Sequence, residues 1–474
     1  MIGRGIGIPF RHGTSGGGTS IPPEIKKSIV AWYNPKKQGM TNYDVIESYA
    51  EDFTASKWVT VQDRAVFTKT ASKIHITESM SNGFNTSFIE TSQSRYGNEM
   101  KINVSGIVAG GVTLKYRYGS YEEVVDITSN GVYTLPAGKA GTNPNGYNGF
   151  VMKAKGKCDI TITQLPTSIL KDFSGNKHDA YLYGFKGRLN SGVGVYVQDF
   201  TKWIFGSVIN NISTNHHNKI HIVKKNPNDD FGYTVGVQKA NYYNKPYKLK
   251  FNFNKKIDDI KFTIVSTDGW LISTRYFSAI INSGSVVDIP IISEEIFNNQ
   301  KEPSIYYDFG TNKDIEIDIE LIPDYPNQLC YDGESYAVAY DMPILTDYTV
   351  IAERTWFERQ NRACFLSKIT TSGTGAFGFE FYNEYNEDTT YSFGRVNNVE
   401  QFKDGITYQI TNSYNGIVKL DYIVNGKDNA ELYIGKLRPS ERPAFIGCHG
   451  DILLFNRTLT EYEINWLKQN WDKI

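Results

Sequence analysis

The sequence has few cysteines, and they lie far apart. Cys158, Cys330, Cys364 and Cys448 are the only four in 474 residues, and they form no CxxC pair and no Cys/His ligand spacing. A disulfide framework or a structural zinc site needs closer and more regular spacing. We therefore expect reduced cysteines that act as small buried apolar side chains.

The sequence also has no excess of positive or negative charge and no long run of apolar residues. The chain has 50 basic and 51 acidic side chains. Nucleic-acid binding needs a basic surface, and a membrane span needs about 20 consecutive apolar residues. The N-terminal residues contain arginine and glycine where a signal peptide has an apolar run. We expect no nucleic-acid partner, no membrane insertion and no secretion by a signal peptide.

Methionine is scarce, with 6 residues, whereas there are 32 tyrosines, 26 phenylalanines and 42 glycines. A chain rich in tyrosine, isoleucine, valine, threonine, asparagine and glycine is typical of strands joined by turns. Its length suggests about three domains. The expected fold class is all-β.

Residues 1–23 form a glycine-rich stretch that ends at two prolines. Such a composition cannot bury enough apolar surface to fold alone. We expect an arm that anchors the protein in a larger assembly by binding other proteins. The anchoring side chains would be the apolar and basic ones between its glycines, namely Ile2, Arg4, Ile6, Ile8, Phe10 and Arg11.

An internal repeat is the most informative feature of the sequence. The segment at 51–58 recurs at 198–203 with the shared residues Asp-Phe-Thr and Lys-Trp, and the two copies close alike at 158–166 and 315–323. Period-2 alternation in the matching segments predicts half-buried antiparallel strands. Each copy is therefore predicted to be a small β-sandwich. Two further pairs of alternating segments match, 101–105 with 248–252 and 132–136 with 286–290.

The segments outside the two copies are predicted to form one further domain, a two-sheet jelly roll. Asn-Gly at 425–426 is a strong hairpin signal. Thr460 and Glu463 form a capping box for a helix over 460–472, whose apolar face beginning at Ile464 would pack on the sandwich. The predicted division is an arm at 1–23, jelly-roll parts at 24–50, 167–197 and 326–474, and inserted sandwiches at 51–166 and 198–325.

Ordered landmarks in these outer segments resemble a concanavalin A-like, laminin-G-like jelly roll. They are Val-Ala-Trp-Tyr at 30–33, Leu-Lys-Asp-Phe-Ser-Gly-Asn at 170–176, Tyr-Asp-Gly at 331–333, Tyr-Thr-Val-Ile-Ala-Glu-Arg at 348–354, and a strand followed by Asn-Arg-Thr-Leu-Thr-Glu-Tyr-Glu-Ile at 456–464. The resemblance implies a concanavalin A-like (laminin-G-like) jelly roll interrupted by two homologous inserted β-sandwich modules, with one short C-terminal helix.

The whole arrangement is similar to virion proteins of tailed phages that infect gut Bacteroides, the crAss-like group. This resemblance implies a non-enzymatic structural protein of the virion, assembled in the host cytoplasm, that forms a head or tail fibre or appendage. It also implies other virion proteins as partners of the arm, a homo-oligomer, host surface glycans as a ligand, and no cofactor. Two alternatives stay open, a glycan-hydrolysing enzyme and a bacterial surface lectin.

Glu316, Asp318 and Glu320 resemble the Glu-x-Asp-x-Glu strand of glucanases that also use a concanavalin A-like jelly roll. That resemblance would make Glu316 the nucleophile, Glu320 the general acid/base and Asp318 the residue that tunes the pair. The repeat aligns these positions with one acid and two threonines at 159–163. A strand whose outward face is polar in both copies is simply solvated. We therefore expect no catalytic residues, with the three acids as the alternative.

Asp172, Asn176 and Asp179 could supply oxygen ligands to calcium, but a tight turn alone explains these residue types. We expect the turn, and no metal. The three histidines within 216–221 have no acidic or cysteine neighbour at ligand spacing, which favours a polar loop leading into a strand.

A tyrosine-rich run contains Tyr382, Tyr385 and Tyr391. Aromatic faces and neighbouring amide groups suit stacking on sugar rings or on a protein partner. These three tyrosines are the predicted binding residues.

Overall fold

A computed structural model of the chain describes residues 20–41, 45–56, 58–61, 65–79, 86–90, 98–108, 112–119, 124–138, 148–154, 156–186, 190–196, 199–205, 212–223, 231–236, 246–254, 260–268, 271–290, 302–308, 316–343, 345, 348–358, 360–369, 378–384, 387–392, 396–403, 407–412, 431–437, 444–471 and 474. The described residues are mostly strands, so the all-β prediction is confirmed.

Two single helical turns flank the first strand. The elements are α1 (Pro23–Lys26), β1 (Ile29–Tyr33) and α2 (Pro35–Gln38). A proline begins each helix, where its missing N–H costs nothing, and the Asn34 side chain accepts a hydrogen bond from the Lys37 N–H at 2.7 Å. The prediction of a single helix was incomplete, since four residues are too few to show a helical period in the sequence.

The first inserted segment forms two five-stranded antiparallel sheets, ordered β2-β5-β10-β7-β8 and β3-β4-β11-β6-β9. Phe53 and Trp58 are fully buried between them, with their rings edge to face at 5.2 Å. The strands are β2 (Trp58–Val61), β3 (Ala65–Lys69), β4 (Lys73–Ser79), β5 (Thr86–Glu90), β6 (Met100–Ser105), β7 (Val112–Arg117), β8 (Val124–Ile127), β9 (Gly131–Leu135), β10 (Asn148–Ala154) and β11 (Gly156–Gln164).

Three short strands follow, β12 (Ile169–Leu170), β13 (Ala180–Tyr183) and β14 (Gly192–Val193), and then the second inserted segment begins with a 3-10 turn, Phe200–Lys202. Its sheets are ordered β15-β18-β23-β20-β21 and β16-β17-β24-β19-β22. The strands are β15 (Trp203–Phe205), β16 (Ile212–Asn215), β17 (Lys219–Val223), β18 (Phe231–Gly236), β19 (Tyr247–Phe253), β20 (Ile260–Asp268), β21 (Leu271–Ile281), β22 (Val286–Ile289), β23 (Glu302–Asp308) and β24 (Glu316–Ile322).

The strand order is the same in the two inserted segments, because adding thirteen to each strand number of the first segment gives the order of the second. The repeat is therefore visible in the strand order of the described residues as well as in the sequence. Its local geometry also recurs, because the Asp52 carboxylate accepts from the N–H and hydroxyl of Thr54 at 2.9 and 2.6 Å, and Asp199 accepts from Thr201 at 3.0 and 2.6 Å.

The last part of the chain supplies most of two seven-stranded antiparallel sheets. One is ordered β14-β25-β34-β27-β32-β31, with β1 also paired to β34, and the other β12-β13-β26-β33-β28-β29-β30. We call these two sheets and their connections the frame. Its remaining elements are β25 (Leu329–Asp332), β26 (Tyr336–Ala339), β27 (Tyr348–Glu358), β28 (Cys364–Ile369), β29 (Gly378–Glu384), β30 (Glu387–Ser392), β31 (Val396–Lys403), β32 (Thr407–Asn412), β33 (Leu432–Ile434), β34 (Ile446–Phe455) and α3 (Glu461–Asn470).

The frame is a β-sandwich. Val350 and Leu454 of one sheet share a buried cluster with Leu182 and Ile434 of the other. Every named strand pairing of the frame joins residues of its own segments, and every pairing of an inserted segment stays within that segment.

Helix α3 packs on the outer face of the sheet that contains β34. Its predicted capping box is present, since the Thr460 side chain accepts from the Glu463 N–H and the Glu463 carboxylate accepts from the Thr460 N–H. Leu467 and Trp471 are buried against Leu453. Among the described helices, none has the length and apolar character that a membrane span needs.

The connections of each inserted segment to the frame are held together at their base. The Thr167 N–H donates to the Ser48 carbonyl at 2.7 Å, and at the equivalent place the Asp324 N–H donates to the Val195 carbonyl at 3.0 Å. Gln164, fully buried, exchanges two further hydrogen bonds with the backbone of the first connection. The chain segments that lead into and out of each insert therefore lie side by side.

Candidate functional site

Glu316, Asp318 and Glu320 alternate along β24 with buried isoleucines, so they lie on the outward face of their sheet. Asp318 binds His221 at 2.8 Å and Lys219 at 3.3 Å on the neighbouring strand β17. Burial opposes ionisation of Asp318, but the hydrogen bonds from His221 and Lys219 outweigh it and hold the pKa below its ordinary value.

A histidine–carboxylate pair occurs on the same face of the first insert. His75 binds Asp159 at 2.8 Å, and His75 belongs to a Lys-Ile-His-Ile segment of β4 that matches Lys-Ile-His-Ile at the start of β17. Both copies thus link neighbouring strands by an outward histidine and an acid. Cross-strand pairs of opposite charge stabilise a solvated sheet face.

The carboxylate of Asp172, which is 5% exposed, has protein donors on both oxygens. It accepts from the N–H groups of Trp32, Ser174 and His178 and from the Ser174 hydroxyl, at 2.8 to 3.0 Å. Asp179 accepts from the Asp172 N–H at 2.9 Å. The geometry is that of a tight turn in which both oxygens of the Asp172 carboxylate accept hydrogen bonds from the protein.

The amide of Asn176 donates to the carbonyls of Ile29 and Val30 at 2.9 and 3.0 Å. The side chain of Asn176 therefore ties the turn to β1. No cluster of three or more metal-binding side chains is found in the part of the chain that the structure describes.

Two of the histidines within 216–221 have acidic partners far away in sequence. His217 binds the buried Asp199 at 3.0 Å, and His221 binds Asp318. Residues 216–218 form the loop that leads into β17, and strand pairing places Asp318 beside His221.

The remaining predicted sites are only partly within the described residues. Tyr382 lies on β29 and Tyr391 on the paired strand β30, whereas Tyr385 falls outside the described residues. The predicted anchor residues, Ile2, Arg4, Ile6, Ile8, Phe10 and Arg11, fall outside them as well.

A polar cleft of about 480 Å³ opens on the outer face of the frame, and no sequence signal pointed to it. It lies between α2, the loop before β25, the middle of β34 and the end of α3. Neither Glu316 nor Glu320 lines it. Its lining residues of interest are Asn34, Lys36, Lys37, Gln328, Glu353 and Asp451.

Asp451 has the most strongly shifted pKa among the groups that line the cleft. Its Oδ1 atom accepts from the indole N–H of Trp32 at 2.7 Å and from the amide of Asn34 at 2.8 Å. Burial raises the pKa of Asp451 from 3.8 to about 6, and the negative charge of Glu353 adds to this rise, while the two hydrogen bonds oppose it.

Glu353, on β27, faces the same cleft. Its Oε1 atom accepts from the Gln328 amide at 3.1 Å. A Cβ atom at Gly450 would lie 2.3 Å from the Glu353 Oε2 atom, so glycine at 450 leaves room for this carboxylate.

Lys37 completes the charge pattern of the cleft. Its Nζ atom lies over the Trp32 ring, 3.7 Å from the ring centroid. Burial lowers the pKa of Lys37, and the nearby Asp451 carboxylate opposes that change. The cleft thus combines two carboxylates, lysine ammonium groups and amides.

No family model matches this chain, and no curated protein sequence matches it. Among solved structures it is similar to the tandem CBM22-1–CBM22-2 domain of Paenibacillus barcinonensis Xyn10C, at 11% identity over 59% of this chain and 96% of that one, with a TM-score of 0.24. AerE from Microcystis aeruginosa follows at 8% identity over 56% and 96%, with a TM-score of 0.13. Trypanosoma rangeli sialidase in complex with sialic acid has 11% identity over 90% and 86%, with a TM-score of 0.21. At such TM-scores these likenesses carry no argument, and the β-sandwich assignment rests on the sheets themselves.

Proposed function

We propose that this chain is a non-enzymatic structural subunit of a phage particle, a head or tail fibre or appendage that meets host surface glycans. The proposal rests on the domain arrangement of the chain. Two copies of one β-sandwich are inserted into the frame sandwich, and the connections at the base of each insert are hydrogen-bonded to each other. Such a build presents repeated surfaces, and weak contacts made by repeated surfaces multiply in an assembly. The particle setting is suggested by the resemblance of the chain's overall arrangement to crAss-like virion proteins.

The frame is proposed to be of the concanavalin A-like, laminin-G-like type. Three separate chain segments build its two seven-stranded antiparallel sheets. The landmarks at 30–33, 170–176 and 456–464 fall on β1, on the Asp172 turn and on the capped start of α3. The arm at 1–23 would bind other virion proteins, with the chain as a homo-oligomer.

Particle incorporation is the test of this role. Deletion of residues 1–20 should leave the circular dichroism spectrum and the Tm unchanged but abolish incorporation into purified particles. Val108→Ala, a change at an exposed side chain of the first insert, is the matched control and should be incorporated normally. Normal incorporation of the deletion variant would refute the arm, and native protein found only in the bacterial envelope would favour the surface lectin.

The hydrolase alternative has a direct test at Glu316. A retaining glycosidase needs two carboxyl groups about 5 Å apart on either side of the scissile bond. Here the central acid of the row is engaged by His221 and Lys219 on an open sheet face. We expect neither the wild type nor Glu316→Gln to hydrolyse β-glucans. Hydrolysis by the wild type that disappears in Glu316→Gln would establish the enzyme instead.

A further inference from the structure

Each of the two carboxylates of the frame cleft has one oxygen that accepts hydrogen bonds from described residues and one that accepts none from them. Trp32 and Asn34 hold Asp451 Oδ1, and Gln328 holds Glu353 Oε1. Among the described residues, no hydrogen bond reaches Asp451 Oδ2 or Glu353 Oε2. These two atoms are therefore fixed acceptors for a molecule that occupies the cleft.

Hydrogen-bond donors line the same space. Lys36 and Lys37 contribute two ammonium groups, which balance the side-chain charges of Asp451 and Glu353. The amide side chains of the lining can both donate and accept. A ligand that fits this surface must offer donors to the carboxylates and acceptors to the lysines, and it must carry no large charge of its own.

The geometry points to a binding site for a neutral sugar in this cleft, an assignment that rests on the glycan binding of the proposed function. A hydroxyl group both donates and accepts, so adjacent hydroxyls of one ring satisfy a carboxylate oxygen and an ammonium group together. An acidic sugar would bring negative charge against Asp451 and Glu353. An aminosugar cation would bring positive charge against Lys36 and Lys37, which repel it.

The size of the cleft and the fixed position of Asp451 agree with this ligand class. A volume of about 480 Å³ lies within the range of small-molecule sites and holds one or two sugar rings. Asp451 lies on β34, and Asn34 directly follows the paired strand β1, so the sheet pairing and two hydrogen bonds hold the Asp451 carboxylate in place. Acceptors that are held before the ligand arrives lose little entropy on binding.

Binding of defined disaccharides to the full-length protein tests the site. Maltose, lactose, mannobiose and chitobiose would be titrated by calorimetry and by saturation-transfer NMR, with sialyllactose and glucosamine as charged comparisons. At least one neutral disaccharide should bind at millimolar concentration or tighter, and the charged probes more weakly. Asp451→Asn and Glu353→Gln should each weaken binding about tenfold by removing a charged acceptor.

Three further variants make the result specific. Glu358→Gln changes an exposed carboxylate on the same strand as Glu353 but outside the cleft, and it should bind as the wild type does. Lys36→Ala, at an exposed side chain of α2, should weaken binding without any folding defect. Gly450→Ala should displace the Glu353 carboxylate and weaken binding as Glu353→Gln does. Circular dichroism and the Tm establish that each variant is folded.

The outcomes separate this site from the role of the whole chain. Loss of neutral-sugar binding in Lys36→Ala and Asp451→Asn, with Glu358→Gln unaffected, supports the site. Preference for a charged probe, equal weakening by Glu358→Gln, or no binding of any neutral disaccharide overturns it, even if particle incorporation is intact. Sugar binding by a protein that is absent from particles would instead overturn the structural role and leave the site standing.

Discussion

The backbone N–H of Trp32 donates a hydrogen bond of 2.9 Å to the carboxylate of Asp172, across 140 residues of sequence. The first insert lies between these two residues in the chain. Three more donors, from Ser174 and His178, bind the same carboxylate. One buried side chain therefore joins two frame segments that the insert separates.

Asp172→Ala should destabilise the frame by about 3 to 5 kcal/mol, because it leaves several buried N–H and O–H groups without an acceptor. Urea denaturation followed by tryptophan fluorescence would measure the loss. Glu334→Ala is the control, since Glu334 pairs with Lys186 at 2.7 Å on the surface, with both side chains more than half exposed. It should cost less than about 1 kcal/mol. Equal losses for the two variants would contradict the role of Asp172.

Glu463 should make the stability of the frame depend on acid. Two hydrogen bonds from the Arg457 guanidinium, at 2.6 and 2.8 Å, lower the pKa of Glu463 from 4.5 to about 2, with Thr460 contributing and burial opposing. Because the folded-state pKa is depressed, this contribution is present above about pH 4.5 and is lost as the pH falls toward about 2.

Glu463→Gln should therefore lower the free energy of unfolding at neutral pH by about 1 to 2 kcal/mol, and the difference from the wild type should shrink in acid. Urea titrations at a series of pH values give the measurement. Glu461→Gln, in the same helical turn but exposed, should show a smaller and nearly constant difference. A Glu463→Gln deficit that stays constant down to about pH 3 would argue against the Arg457 pair as its cause.

Asp451 should change the stability of the frame with pH in the direction opposite to Glu463. Its pKa is raised in the folded state, from 3.8 to about 6, so the folded protein holds this proton more tightly than the unfolded chain. Its contribution to stability is therefore full below about pH 4 and is lost as the pH rises through about 6. Asp451→Asn should be more stable than the wild type at neutral pH, by up to about 3 kcal/mol, and equal to it in acid.

This comparison has to be made between variant and wild type, because His449 titrates nearby. Burial lowers the pKa of His449 from 6.5 to about 4, which makes the protein lose stability as the pH falls over the same range. Glu353, Lys36 and Lys37 also face Asp451 across the cleft. Their contributions cancel in the difference between Asp451→Asn and the wild type if the fold is unchanged. A difference that grows as the pH falls would be the contrary result.

The thiols should react in a set order. Cys330 and Cys448 are buried and face each other across β25 and β34, and burial, with Cys448 adding to it, raises the pKa of Cys330. Because the thiolate is the reactive form, Ellman's reagent should modify the half-buried Cys158 first and the other three only on unfolding. Cys158→Ser should remove the fast phase, and a fast phase that survives this change would show the frame to be open.

Much of the fold was accessible from the sequence. The repeat predicted segments at 101–105 and 248–252 that become the equivalent strands β6 and β19. The capping box correctly predicted Thr460 as the N-cap of α3, which begins at Glu461 and ends at Asn470, before the predicted end. Both signals are local, since alternation and capping act within a few residues of chain.

The cleft could not be found in this way. Trp32 and Asp451 are 419 residues apart, and the pairing of β1 with β34 brings them together. Gln328 and Glu353 come from a third stretch of chain. No spacing rule connects such residues before the sheet order is known. The shared Lys-Ile-His-Ile segments at 73–76 and 219–222 were a usable local signal that pointed to the outward histidines of both inserts.

The hydrogen bond between Thr167 and Ser48 has a consequence for how the chain folds. It joins residues 119 positions apart, yet once the first insert is folded these ends are no farther apart than the ends of a hairpin turn. The entropic cost of closing the long loop is then offset by folding of the insert, and the frame has to close only a short loop. The same holds at Val195 and Asp324. The inserts are thus expected to fold first, each shortening the effective distance over which the frame segments must find one another.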